Sequence, residues 1–167
     1  MNNDSVDTKN AIVVRKALAT DVKAIHKLLE FYADQGIVLR RSEKDILFYI
    51  KNFTIAECNG ELCGCVAMRF FGNSLYEVRS LAVATTHQRL GIGSKLIARL
   101  IKNLTEQEPM WRLFTLTGNP KFFIKQGFKL VDRSLFPEKI WSDCAMCPKN
   151  SCCDEIALEI TSNDIAK

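Results

Sequence analysis

The chain is 167 residues long, with a formal net charge of +4, 47% hydrophobic residues and 25% charged residues. That balance excludes disordered, collagen-like and coiled-coil classes, and the length suits one compact domain with its own core. The modest positive surplus falls short of the dense basic stripe of a dedicated nucleic-acid binder and fits a small anionic ligand better.

The seven cysteines are an odd number, and residues 1–10 (MNNDSVDTKN) are polar, without the apolar core of a signal peptide. Both features point to a reduced, cytoplasmic setting. No apolar run approaches the roughly 20 residues that cross a bilayer, so no membrane partner is expected. Residues 1–10 read as a disordered tail, 11–160 as a single domain and 161–167 as a C-terminal tail.

Residues 11–15 (AIVVR) predict a first strand. Thr20 then precedes Val22, Ile25, Leu28, Leu29 and Tyr32, a helical spacing that Gly36 ends. Ser42 opens SEKD, a hydroxyl followed three residues later by an acid, which predicts a short capped helix with Ile46, Leu47 and Ile50 on its apolar side. The intervening GIVLRR places Arg40 and Arg41 in a surface loop. Residues 53–58 and 61–71 read as strands joined by Asn59 and Gly60, the pair that suits a type I′ hairpin. A turn at 72–74 leads into a third strand, LYEVRSLAV, at 75–83.

After QRLGIG, Leu96, Ile97, Leu100, Ile101 and Leu104 recur on one helical face, opposite Lys95, Arg99 and Lys102. A strand at 112–117, a short helix opened by Pro120 and closed before Gly127, and a strand at 128–131 follow. The stretch to Pro148 shows little periodicity, and residues 155–160 (EIALEI) predict a last strand.

The segment from Gln88 to Gly93 carries chemistry. Glycines at 91 and 93 allow a tight turn and close approach of phosphate oxygens, and the helix beginning there supplies unpaired N–H donors and a positive dipole end. A GxG pair alone can mark no more than a helix start. A dinucleotide fold would need a parallel βαβ unit, GxGxxG and an acid about 20 residues on, whereas these strands are hairpin-linked and no Walker lysine follows.

The order of hairpin, strand SLAV, loop QRLGIG and long helix resembles the acetyl-CoA-binding motif of the GNAT N-acetyltransferase superfamily. QGIVLRRSEKDI, NFTIAECNGELCGCVAM, YEVRSLAV and FFIKQGFKLVD together resemble the acetyltransferase domain of bacterial N-acetylglutamate synthase over residues 12–160. The resemblance implies the GNAT fold, α/β of the α+β type, with a mixed, mostly antiparallel sheet of about six to seven strands flanked by about four helices. It implies acetyl-CoA as co-substrate and transfer to the α-amino group of an amino acid, glutamate first, as in arginine biosynthesis. Long forms of that enzyme carry an amino-acid-kinase domain ahead, so this chain reads as a stand-alone short form without arginine feedback through that domain. The superfamily often dimerises, which makes a homodimer one expected state.

The resemblance also implies roles. Glu77 becomes the general base, although the residues alone favour an outward acid paired with Arg79 two positions along. The Leu81 backbone N–H, at a strand bulge, would polarise the thioester carbonyl, with Ala82 and Val83 bonding the pantetheine arm. Gln88, Arg89, Leu90, Gly91, Ile92, Gly93 and Ser94 would hold the pyrophosphate, Arg89 and Lys95 adding charge. Phe122 and Phe123 would pack the coenzyme A arm or the core. NPKFFIKQGF contains no Tyr or Cys to protonate the leaving thiolate, which leaves that role to water.

Arg40 or Arg41 matches a family arginine that binds a glutamate carboxylate, and Ser80 would add a hydroxyl or main-chain contact. Where the long forms have a basic stretch before the last strand, this chain reads CCDE at 152–155, so Arg79 or Arg133 would have to replace an expected arginine. Other acceptors (another amino acid, a polyamine, a peptide N-terminus) and an inactive acyl-CoA-sensing module remain open. His26 and His87 receive no role.

Cys144, Cys147, Cys152 and Cys153 form CxxCPxxxxCC, and four thiolates would suffice for zinc. Adjacent Cys152 and Cys153 do not readily point at one metal, and no second CxxC or neighbouring His completes the usual spacing, so a structural role is preferred. Cys58, Cys63 and Cys65 read as buried strand residues.

Overall fold

The computed structural model describes residues 11–166, so the expected tail at 1–10 lies outside the described residues. Seven strands form one sheet in the order β1-β2-β3-β4-β5-β7-β6. They are β1 (Ile12–Lys16), β2 (Phe53–Cys58), β3 (Glu61–Phe70), β4 (Leu75–Val83), β5 (Arg112–Thr117), β6 (Lys129–Leu130) and β7 (Ile156–Thr161). β1 and β2, β5 and β7, and β6 and β7 pair antiparallel, while β4 and β5 pair parallel over Leu75–Glu77. The helices are α1 (Val22–Ala33), α2 (Glu43–Phe48), α3 (Ile92–Gln107), α4 (Pro120–Lys125), α5 (Pro137–Ser142) and α6 (Ser162–Ile165). This is the mixed, mostly antiparallel sheet that the resemblance implies, and the described residues form six α-helices where about four were expected. Among the described residues no helix is long and apolar enough to cross a membrane.

By internal contacts the chain divides into two compact units. The first holds the described residues through Val66 and Leu81–Leu96. Its elements follow from local chemistry. Asn59 (φ 53°) and Gly60 (φ 80°) take the left-handed conformations that a type I′ turn requires between β2 and β3. The Ser42 hydroxyl accepts from the Asp45 amide at 3.1 Å and caps α2. Asp21 rather than Thr20 stands at the start of α1, because Thr20 lies in a preceding 3-10 turn; Asp21 also receives the Arg15 guanidinium at 2.8 Å. Val22, Ile25, Leu29 and Tyr32 are buried along α1, the face that the spacing predicts.

The second unit holds Ala67–Ser80 and the described residues from Ile97. Its core includes Leu75, Phe114, Phe136 and Ala157, with the Phe114 and Phe136 rings stacked at 4.0 Å and 8°. Phe136 immediately precedes Pro137, which opens α5 at a position that tolerates a missing N–H. Residues 137–142 carry no helical periodicity; this aromatic anchor and the proline form α5. Of the expected tail at 161–167, residues 161–165 belong to a strand and a helix instead. β7 extends through Thr161, and α6 follows, its first turn capped by Asp164, whose carboxylate accepts from the Thr161 amide at 3.0 Å.

Candidate active site

In the first unit, the stretch from the end of β4 to α3 is built to meet an anion. Arg89 (φ 64°) and Gly91 (φ 75°) both take left-handed backbone conformations, so the chain winds into a concave run of amides. A Cβ on Gly91 would meet nothing within 4 Å, which leaves open space above the turn. The first helical bond of α3 runs from the Lys95 amide to the Gly91 carbonyl at 3.0 Å. The amides of Ile92, Gly93 and Ser94 therefore have no acceptor inside the helix and, with the positive end of the α3 dipole, suit phosphate oxygens. Gln88, Arg89, Leu90 and Gly91 are exposed while Ile92 is buried and anchors the turn. These residues fit the pyrophosphate of acetyl-CoA.

Two contacts that sequence reasoning missed shape this stretch. The Tyr32 hydroxyl of α1 donates to the Val83 carbonyl at 2.5 Å and accepts from the Gln88 side-chain amide at 2.8 Å. Gly64 of β3 lies so close to α3 that a Cβ there would sit 2.9 Å from Ile92 Cγ2 and 3.3 Å from the Ala82 carbonyl. Its place between two cysteines in CGC was the available signal. Ala82 is buried, and Leu81 and Val83 are half-buried.

In the second unit, Glu77 is a buried acid whose side chain is 4% exposed. It is not the outward acid that one sequence reading described, although it does pair with Arg79, whose Nη2 lies 2.7 Å from Oε2. Its other oxygen, Oε1, receives Lys139 Nζ at 2.8 Å. Lys139 Nζ also lies 3.0 Å from Asp143 Oδ2, and Asp143 is bonded in addition by Arg69 and Arg79. Five charged side chains thus pair with one another, which is how a low-dielectric interior tolerates them. Lys139 lies on α5 and Asp143 caps its C-terminal end four residues on, which brings the two side chains together.

The electrostatics follow from these contacts. Burial works to raise the Asp143 carboxyl, but Arg69, Lys139 and Arg79 outweigh it and hold the group well below the usual carboxylate range. For Arg79, burial works to lower the guanidinium and the neighbouring Glu77 and Asp143 carboxylates override it, so its pKa rises. Lys139 and Asp143 could not be found from sequence, because α5 carries no periodic signal and the contact to Glu77 is long-range.

β4 carries a backbone irregularity next to these residues. Ser80 has φ 53° inside the strand, a conformation that marks a bulge for a non-glycine residue. The parallel ladder to β5 covers Leu75–Glu77, after which the Thr115 hydroxyl, at 3.3 Å, takes the place of a backbone donor at the Val78 carbonyl.

The remaining candidates are placed as follows. Arg40 is exposed and bonded to Glu30 of α1 and to Asp34, which caps that helix, and Arg41 is half-buried. Phe123 is buried at edge-to-face distances of 5.0 Å from Phe122 and 5.2 Å from Phe128, a core environment. Arg133 is bonded to the Cys144 and Cys153 thiols rather than to the Glu77 cluster, and these bonds raise its pKa. All seven cysteines are free thiols, and among the described residues no group of three His, Cys, Asp or Glu could hold a metal ion. The thiols at 144, 147, 152 and 153 belong to consecutive 3-10 turns and their flanks.

An open sheet of this topology, with a helix-start amide cradle after its fourth strand, defines a coenzyme A-dependent acyltransferase class. Residues 49–130 match the Acetyltransferase (GNAT) domain family. The chain is 41% identical to an uncharacterised N-acetyltransferase of Chlorobaculum tepidum, over 87% of this chain and 93% of that protein. It is 31% identical to the amino-acid acetyltransferase of Mycobacterium tuberculosis, over 72% of this chain and 70% of that protein. Among solved structures, N-acetylglutamate synthase of Neisseria gonorrhoeae, complexed with coenzyme A and N-acetyl-glutamate, superposes with TM-score 0.80 at 27% identity. That match covers 90% of this chain and 35% of the other. The chain belongs to the GNAT family of acetyl-CoA-dependent N-acetyltransferases.

Proposed function

We propose that the protein transfers the acetyl group of acetyl-CoA to the α-amino group of an amino acid, with glutamate the leading acceptor, and that Glu77 is the general base. The observation that carries this reading is the 2.8 Å contact between Glu77 Oε1 and the Lys139 ammonium: a buried carboxylate that already binds a primary ammonium. The amino-acid acetyltransferase and the synthase among the relatives support the acceptor class.

In this mechanism the acceptor ammonium gives a proton to Glu77, directly or through water, and the neutral nitrogen attacks the thioester carbon. The oxygen of the tetrahedral intermediate takes the Leu81 N–H, which follows the bulge at Ser80. Collapse breaks the C–S bond, and the second proton shed by the nitrogen passes through water to the leaving thiolate. Gln88–Ser94 hold the pyrophosphate, with Ala82 and Val83 on the pantetheine arm. Arg40, Arg41, Arg79 and Ser80 are the proposed contacts for the acceptor's carboxylates. A product of this kind would serve arginine biosynthesis.

Glu77→Gln tests the base. The expected result is a fall in kcat of roughly a hundredfold or more, the usual reach of a general base, with the KM for acetyl-CoA unchanged. Wild-type kcat in the variant would remove Glu77 from the mechanism.

A further inference from the structure

Glu77 and Lys139 are buried, with side chains 4% and 10% exposed, so a solvent-borne amine does not reach Glu77 Oε1 while Lys139 Nζ holds it at 2.8 Å. Whatever binds there must take the place of an ammonium and leave Lys139 paired. We propose that the Glu77–Lys139 pair selects the acceptor by opening around an α-amino acid zwitterion: the acceptor's ammonium replaces Lys139 on Glu77 Oε1, and its α-carboxylate accepts from the displaced Lys139 ammonium. The proposal rests on the reading of Glu77 as the base.

Three observations favour the exchange. The incoming group is of the same charge and kind as the one displaced, so Glu77 stays paired throughout. Lys139 has a second carboxylate, Asp143 Oδ2 at 3.0 Å, that remains beside it as it moves, and its long flexible stem permits the shift. Asp143 itself is fixed by Arg69 and Arg79, and α5 is anchored through Phe136 on Phe114. The pair also supplies the cation that CCDE at 152–155 lacks. A polyamine would satisfy Glu77 but bring further positive charge to Lys139, and the site rejects it on that ground.

The test compares kcat/KM for L-glutamate and for γ-aminobutyrate, the same skeleton without the α-carboxylate, in wild type, Lys139→Gln and Lys139→Arg. Calorimetric binding of coenzyme A verifies that each variant is folded. The wild type is expected to prefer glutamate. Lys139→Gln should lose about tenfold or more of that preference, mainly through the glutamate KM, and Lys139→Arg should retain part of it. An unchanged preference in folded Lys139→Gln overturns the selector while leaving the amino-acid reading intact. A wild type that acetylates no amino acid overturns both. A second comparison needs no variant: the α-amide of L-glutamate should show a KM about tenfold above that of glutamate, and equal values overturn the proposal.

Discussion

Tyr32 and Gln88 are hydrogen-bonded at 2.8 Å, and the same tyrosine hydroxyl donates to the Val83 carbonyl at 2.5 Å. One side chain of α1 therefore ties the end of β4 to the middle of the segment that leads into α3. Tyr32→Phe removes both bonds while preserving the ring. It should raise the KM for acetyl-CoA roughly three- to tenfold, the range expected for lost neutral hydrogen bonds, with little change in kcat. Initial-rate kinetics check this, and an unchanged KM would show that the tyrosine serves the core alone.

Gly64 controls how closely α3 approaches β3. A methyl group there would sit 2.9 Å from Ile92 Cγ2 and 3.2 Å from Leu96 Cδ1, inside a packed region where both helical residues are buried. Gly64→Ala should destabilise the protein by about 1–3 kcal/mol, as overpacking does. Because Ile92 opens α3, the variant should also bind coenzyme A more weakly. Chemical denaturation and calorimetry measure the two effects.

Asp143 gives the fold an acid-sensitive component. A carboxyl whose pKa is depressed on folding contributes stability above its unfolded value of about 3.9, and the contribution is lost as pH falls through the folded value. Asp143→Asn should be less stable than wild type by about 3 kcal/mol near neutral pH, since it leaves Lys139, Arg69 and Arg79 short of a carboxylate. The gap should begin to narrow below about pH 4 and close only as pH falls through the depressed folded value. Denaturant unfolding at both ends of that range provides the check.

Thiol reactivity should divide the cysteines by burial. Cys152 is exposed, whereas Cys58, Cys63, Cys65 and Cys144 are buried. Burial pushes the Cys65 thiol up to about 12, which makes its thiolate scarce at neutral pH. Alkylation of the native protein, read by mass spectrometry, should modify Cys152 first and leave those four intact until the chain is denatured. Early modification of Cys65 would contradict the burial described.

What the sequence made legible was local. Asn59–Gly60 named its turn because few residue pairs accept two left-handed conformations, and Ser42 named its cap because hydroxyl and acid stand at a fixed spacing. QRLGIG revealed the cradle for the same reason. The environment of Glu77 was hidden, since Lys139 and Asp143 reach it from α5, a helix formed by Pro137 and the Phe136–Phe114 stack rather than by periodicity. Ser80 and Gly64 were equally silent, because a bulge and a close helix approach are decided by neighbours distant in sequence.

The proposed acceptor of this GNAT enzyme is the α-amino group of an amino acid. The most direct measurement is acetyl-CoA-dependent release of free coenzyme A thiol against a panel of amino acids, polyamines and peptide N-termini, with each product identified by mass spectrometry. L-Glutamate should stimulate release most strongly and be recovered as its N-acetyl derivative. Release stimulated by a polyamine or a peptide and by no amino acid would contradict that assignment.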